Sequence, residues 1–197
     1  MLVLYGLLYQ SESLTMPGNP DTDLLPILEG CRKRERSSQH ALYKLYYSYG
    51  MSIGVRYAQG EDDAVTIVND AFLKVFRKIR TYDPHRPFKP WFRRIVVNTA
   101  INHVKSQQKY KLVLGMEQDE LPPTNEDILS QIAYRELVAF IQSLSVAYRT
   151  VFNMYVLDGY SHKEIAKILG ITESTSKANL TRARAKLREM LSSKIGM

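Results

Sequence analysis

Two consecutive prolines, Pro122 and Pro123, lie in an acidic stretch from Glu117 to Asp127, with helical patterning on both sides of it. A proline ring fixes φ and removes an amide donor, so no helix continues through such a pair. The stretch therefore reads as an extended arm that divides the chain. Before it, apolar residues recur at helical spacing. Leu24, Ile27 and Leu28 open the pattern, and Leu42, Leu45, Tyr46 and Tyr49 continue it. Ala64, Val68, Ala71, Phe72, Val75, Phe76 and Ile79 form a second stripe; Trp91, Phe92, Ile95, Val96, Thr99 and Val104 form a third. After the arm, Ile132, Leu137, Ile141 and Leu144 supply one face, and Val151, Met154, Tyr155 and Leu157 another. Nowhere does the chain alternate apolar and polar residues as a half-buried strand does. The expected fold is all-α: two small helical domains, 20–108 and 127–193, joined by a flexible linker at 109–126. Residues 1–19 are expected to form a disordered leader.

Composition narrows the function classes. Lys and Arg number 27 against 20 Asp and Glu, a net charge of +7 that favours polyanionic partners, either nucleic acid or an anionic membrane surface. Met1 to Tyr9 is apolar but lacks a basic flank and is too short to span a bilayer, and no membrane insertion is expected. The single cysteine, Cys31, excludes a disulfide framework and fits a reducing, cytoplasmic setting. His40, His85, His103 and His162 show no ligand spacing, so no metal is expected. With no Ser/His/Asp set and no phosphate loop, the sequence offers neither catalytic residues nor a cofactor site.

The segment from Gly159 to Gly170 carries a specific construction. Ser161 and Glu164 have capping-box spacing, so a helix should begin there. Ile165, Ala166, Ile168 and Leu169 form its buried face, and Gly170 can take the left-handed conformation that ends it. Ile171 plugs the turn and Thr172 can cap the next helix. Two helices about a short glycine turn are a helix-turn-helix, whose second helix is free to enter the major groove. That second helix, about Glu173 to Leu191, has no acid between Ser174 and Arg188. Ser174, Thr175, Lys177, Ala178 and Thr181 lie where side chains reach base edges, and Arg182 and Arg184 where they can hold phosphates.

A second basic stretch lies in the first domain. No Asp or Glu occurs between Asp83 and Glu117, and Arg86, Lys89, Arg94 and Lys105 interleave with Phe88 and Trp91. Bases stack on aromatic rings while cations neutralise phosphates, so this chemistry suits single-stranded DNA. Pro90 fits the first position of the helix that follows. Along that helix Asn98 and Asn102 can bond base edges, whereas Trp91, Phe92 and Ile95 read as core. Phe88, placed in the loop, is harder to explain as core. The preceding helix differs: Asp62, Asp63, Thr66, Asn69, Asp70 and Leu73 make an acidic face with an exposed leucine, suited to a protein partner.

Taken together, these blocks resemble the extracytoplasmic-function (ECF, group IV) sigma factors of the sigma-70 family. Glu61 to Phe76 with Phe88 to Ala100 is similar to sigma region 2, and Leu144 to Leu191 to region 4. The resemblance implies core RNA polymerase and promoter DNA as partners, with a cognate anti-sigma factor common in the family. It implies that Asp63, Asn69, Asp70 and Leu73, with Thr66 where an acid is common, dock on the clamp coiled coil of the polymerase. It implies that the loop from Asp83 to Pro90, and Asn98 with its neighbours, open the −10 element and capture a flipped base. Thr175, Lys177, Ala178, Thr181 and Arg182 would read the −35 element. Ser176 stands where valine is common, Asn179 where arginine is, and Pro87 and Pro90 where small residues are; these departures bear on promoter sequence. Two rivals stay open on the residues alone: a stand-alone dimeric helix-turn-helix regulator, and an adaptor that sequesters polymerase without reading DNA.

Overall fold

The computed structural model describes residues 24–114 and 129–195. The expected leader at 1–19, and residues 115–126 of the expected linker, lie outside the described residues. All regular elements among the described residues are helical. No helix among them is long and apolar enough to cross a membrane. Compactness divides the chain into two units, Met1–Ala100 and Ile101–Met197.

The first unit is built from α1 (Leu24–Arg32), α2 (Arg36–Tyr57), α3 (Glu61–Lys78), a 3₁₀ turn at Ile79–Thr81 and the start of α4 (Phe88–Leu114). In α3, Glu61, Asp62 and Asp63 occupy the first turn, and Arg77 and Lys78 the last. Acids at the N-terminus and bases at the C-terminus complement the helix dipole. The Asp63 carboxylate also accepts the Gln59 amide N–H at 3.3 Å, just ahead of the helix. Ala64, Ile67, Val68, Ala71, Phe72 and Val75 are buried, the 3-1-3-1-3 spacing of one helical face. That face meets α2 where α2 presents glycine. A Cβ on Gly50 would lie 3.2 Å from Val68 Cγ1 and 3.3 Å from Phe92 Cζ; one on Gly54 would lie 3.2 Å from Val68 Cγ2. The close α2–α3 crossing therefore depends on those two missing side chains.

Aromatic rings fill the remainder. Phe72 packs on Tyr43 at 4.7 Å and on Phe92 at 5.1 Å; Tyr46 contacts Phe92 at 5.4 Å and Phe88 at 4.9 Å. Four sequence expectations change here. Phe88 is core, only 1% exposed, because α4 begins at Phe88 itself and turns the ring inward. Pro90 is consequently the third residue of α4, a place still within the first turn, where an amide has no intrahelical partner. Leu45, read as part of the α2 stripe, is exposed. Helix α4 runs through Leu114, past the expected start of the linker at 109.

The second unit holds α5 (Leu129–Gln142), α6 (Val146–Phe152), a π-helical turn at Asn153–Leu157, α7 (His162–Leu169) and α8 (Glu173–Ile195). Its core gathers Leu137, Ile141, Leu144, Val151, Phe152, Met154, Leu157, Ile165, Leu180, Ala183 and Leu187. Buried Arg149 donates from Nη1 to the Gln142 carbonyl at 3.0 Å, satisfying an acceptor at the end of α5.

The sole tryptophan, Trp91, lies against Phe88 at 5.5 Å and so reports on the first unit. Phe92→Ala should destabilise that unit by about 3–5 kcal/mol, the usual cost of emptying a buried aromatic site. Denaturant unfolding followed by Trp91 emission measures it, and an unchanged midpoint would remove Phe92 from the centre of the core.

Candidate nucleic-acid interface

Helix α7 starts with a reciprocal cap. Ser161 Oγ accepts the Glu164 N–H at 3.3 Å, and Glu164 Oε2 accepts the Ser161 N–H at 2.9 Å. The Ser161 hydroxyl also donates to Glu164 Oε2 at 2.7 Å, and that bond, with the one from the Ser161 N–H, holds the exposed Glu164 carboxyl below its ordinary range. The helix ends at Gly170, whose φ of 71° is left-handed, and its N–H returns to the Ala166 carbonyl. Thr172 Oγ1 then accepts the Thr175 N–H at 3.0 Å and caps α8. The caps and the glycine turn fall where the sequence put them; of the expected buried face, Ile165 and Ala166 are buried, while Ile168 and Leu169 are only half-buried.

On α8 the buried row is Ser176, Leu180, Ala183 and Leu187. Their spacing of four, three and four turns Ser174, Thr175, Lys177, Ala178, Thr181 and Arg182 outward, and all six are exposed. Two hydroxyls are partly committed: Thr175 pairs with Thr172 at 2.8 Å, and Thr181 donates back to the Lys177 carbonyl at 3.1 Å. Arg184 is half-buried, its guanidinium 5.9 Å from the Tyr155 ring centre. It is thus a packing residue as much as a free cation.

The loop before α4 and α4 itself carry the other basic set. Arg86, Arg94, Asn98, Asn102 and Lys105 are exposed. Lys89 is half-buried, its ammonium 4.7 Å above the Tyr49 ring, and Trp91 is half-buried against Tyr82 at 4.9 Å. Phe88, being core, offers no ring to a base. On α3, Thr66, Asn69, Asp70 and Leu73 are exposed on the side away from the buried face, Leu73 at 54%. Asp63 is half-buried beside them, and Asn69 Oδ1 accepts the Tyr43 hydroxyl at 3.0 Å. Among the described residues no cluster of His, Cys, Asp and Glu could hold a metal ion.

The sequence matches the sigma-70 region 2 family over residues 42–110 and the sigma-70 region 4 family over residues 134–187. The chain belongs to the sigma-70 family. Among curated relatives it is 26% identical over 160 residues to the ECF RNA polymerase sigma factor SigE of Mycolicibacterium smegmatis, covering 78% of this chain and 59% of that protein. It is 27% identical to the RNA polymerase sigma factor SigV of Bacillus subtilis, covering 76% of this chain and 83% of that protein. The co-crystal structure of the sigma factor RpoE with the anti-sigma factor NepR from Bartonella quintana has a TM-score of 0.47 at 19% identity, covering 78% of this chain and 96% of that one. Both regions occur in order in one chain, and the relatives place it in the ECF group of sigma factors, which direct promoter-specific transcription.

Within this sigma factor's region 4, Ser176 explains itself structurally. It is fully buried in the core row of α8, where an unpaired hydroxyl would be costly, and its Oγ lies 2.9 Å from His162 Nδ1. The His162 ring stacks on Tyr155 at 4.4 Å and 21°. His162 and Tyr155 were not singled out as site residues from the sequence, because their pairing depends on how α7, α8 and the π turn meet. Burial, Lys177 and Arg184 lower the His162 pKa from its ordinary 6.5, with Glu173 opposing.

Relative to the protonated form, folding therefore favours the neutral ring. Its contribution to stability is present above about 6.5 and lost as pH falls through the lower folded-state value. NMR titration of the His162 ring should give a midpoint below 6.5, and His162→Asn should remove that part of the acid sensitivity of region 4. A midpoint at or above the ordinary value would contradict the described packing.

Proposed function

We propose that this sigma factor binds core RNA polymerase through the acidic face of α3 and reads promoter DNA at two separated elements. Asp63, Thr66, Asn69, Asp70 and Leu73 form the polymerase surface. Arg86, Lys89, Trp91, Arg94, Asn98, Asn102 and Lys105 serve the melted −10 element, Trp91 and Lys89 from half-buried positions. Phe88 supports that surface from beneath. Ser174, Thr175, Lys177, Ala178, Thr181 and Arg182 read the −35 element, with Arg184 at the edge of the same face. The functional units are 20–108 and 127–193, working in the cytoplasm with the polymerase, and a cognate anti-sigma factor is a further expected partner.

The observation that carries this reading is the split character of α8. One row is buried, and the opposite row is exposed, polar or basic, and free of acids from Ser174 to Arg188. Such a helix, capped at its start and following a left-handed glycine turn, presents a cationic face to a groove. Polymerase would hold both DNA-binding units on one promoter, making the second contact effectively intramolecular.

In-vitro transcription with core polymerase from the source organism tests the reading. New, discrete start sites that depend on this chain are expected. Salt-sensitive binding to a duplex operator without polymerase, and no initiation, would favour the stand-alone regulator. Asp70→Lys should weaken core-polymerase capture while leaving region 4 binding to −35 duplex unchanged; undiminished capture would displace the docking face. Arg182→Ala should lower the slope of log affinity against log salt by about one, as expected for one lost phosphate contact. An unchanged slope would place Arg182 away from the backbone.

A further inference from the structure

The loop from Asp83 to Pro87 is exposed throughout, yet it is held by bonds from both within and outside. Asp83 Oδ1 accepts the His85 N–H at 3.0 Å, and the Asp83 carbonyl accepts the Arg86 N–H at 3.1 Å. The Tyr82 hydroxyl donates to the Arg86 carbonyl, bracing the loop across its base. The Tyr82 ring is itself fixed, edge-on to Phe88 at 5.5 Å and 86° and against Trp91 at 4.9 Å. The last tie comes from far along the chain. Arg32, the final residue of α1, donates from Nη2 to the Tyr82 carbonyl at 2.7 Å. Its own carbonyl accepts Arg80 Nε at 3.4 Å, so α1 and the 3₁₀ turn clasp each other just ahead of the loop. Glu29, 3.6 Å from Arg32 Nη1, steadies the guanidinium.

A charged side chain and a buried tyrosine are thus committed to a segment whose own side chains stay in solvent. A loop ordered in advance does not lose that conformational freedom when it binds, so its affinity is higher. We propose that Arg32 and Tyr82 are positioning residues that pre-set the Asp83–Pro87 loop to receive the unpaired base of the −10 element. The inference rests on the promoter reading given above. Neither residue touches the DNA: Arg32 acts through the Tyr82 carbonyl, and Tyr82 through the Arg86 carbonyl.

The test uses the full chain assembled with core polymerase. Its probes are a labelled single-stranded −10 oligonucleotide, taken from mapped start sites, and a −35 duplex. Tyr82→Phe keeps the ring and removes only the bond to the Arg86 carbonyl; Arg32→Ala removes the tie to α1. Each should weaken binding of the −10 strand about tenfold, the weight of one strong hydrogen bond. Core-polymerase affinity, −35 duplex affinity and the thermal midpoint should stay as in the parent, and Arg32→Lys should recover part of the loss. Asn98→Ala, on α4 outside the loop, is the control for the reading itself. If it weakens −10 binding while Tyr82→Phe and Arg32→Ala do not, the positioning role is wrong and the promoter reading stands. If none of the three changes −10 binding, the promoter reading fails and takes the positioning role with it. If Tyr82→Phe and Arg32→Ala lower core binding and thermal midpoint in step with −10 binding, the residues are structural only and the proposal is overturned.

Discussion

The surfaces of the first unit depend on one stack of rings, in which Phe72 of α3 sits between Tyr43 of α2 and Phe92 of α4. Because α3 must turn Phe72, Val68 and Val75 inward to make this stack, it has no choice about what faces out. Thr66, Asn69, Asp70 and Leu73 are carried to solvent by the same rotation. On α4, burial of Phe88, Phe92 and Val96 likewise sets the outward course of Arg94 and Asn98. A polar residue moved onto the core row would therefore displace both surfaces at once, whereas changes on either outer row need not disturb the fold.

The second unit reaches the same result by local means. A capping box, a left-handed glycine and a threonine cap fix where α7 begins, where it ends and where α8 starts. Interactions of this kind lie within a few residues of one another, so they are written in consecutive sequence and could be read there. The outward row of α8 was legible for the same reason: with the helix start known, periodicity assigns every later residue to a side. Arg184 was the exception. Its position in the period allows a phosphate contact, but its stem crosses Tyr155, a residue on another element.

What the sequence left hidden depends on contacts between distant segments. Phe88 looked like a loop aromatic because three prolines surround it; only the cage of Tyr46, Tyr82, Trp91 and Phe92 shows why the helix begins there and the ring points inward. The glycines at 50 and 54 interrupt the α2 pattern and lower its helix propensity, a local cost that makes sense only against Val68 and Ala64. Ser176 looked like a departure in a recognition helix, and is instead a core residue whose hydroxyl is paired by His162. Arg32 carries no local signal at all, since its acceptor is fifty residues away.

Charge is distributed so that one small chain can meet two kinds of partner. With a net charge of +7, an even spread of cations would attract DNA to every face, including the one assigned to protein. Instead, Glu61, Asp62, Asp63 and Asp70 gather on α3, and no acid occurs between Asp83 and Glu117. On the proposed reading, the acidic α3 face repels phosphate and stays open for a polymerase surface, while α4 and α8 keep their cations for DNA. Like-charge exclusion acts over roughly a Debye length, about 8–10 Å at ordinary salt, comparable to the diameter of a helix. On the proposed reading, that distance is enough for neighbouring helices of one small domain to hold different partners. Segregation of charge, rather than total charge, is then what lets polymerase docking and promoter opening occur side by side.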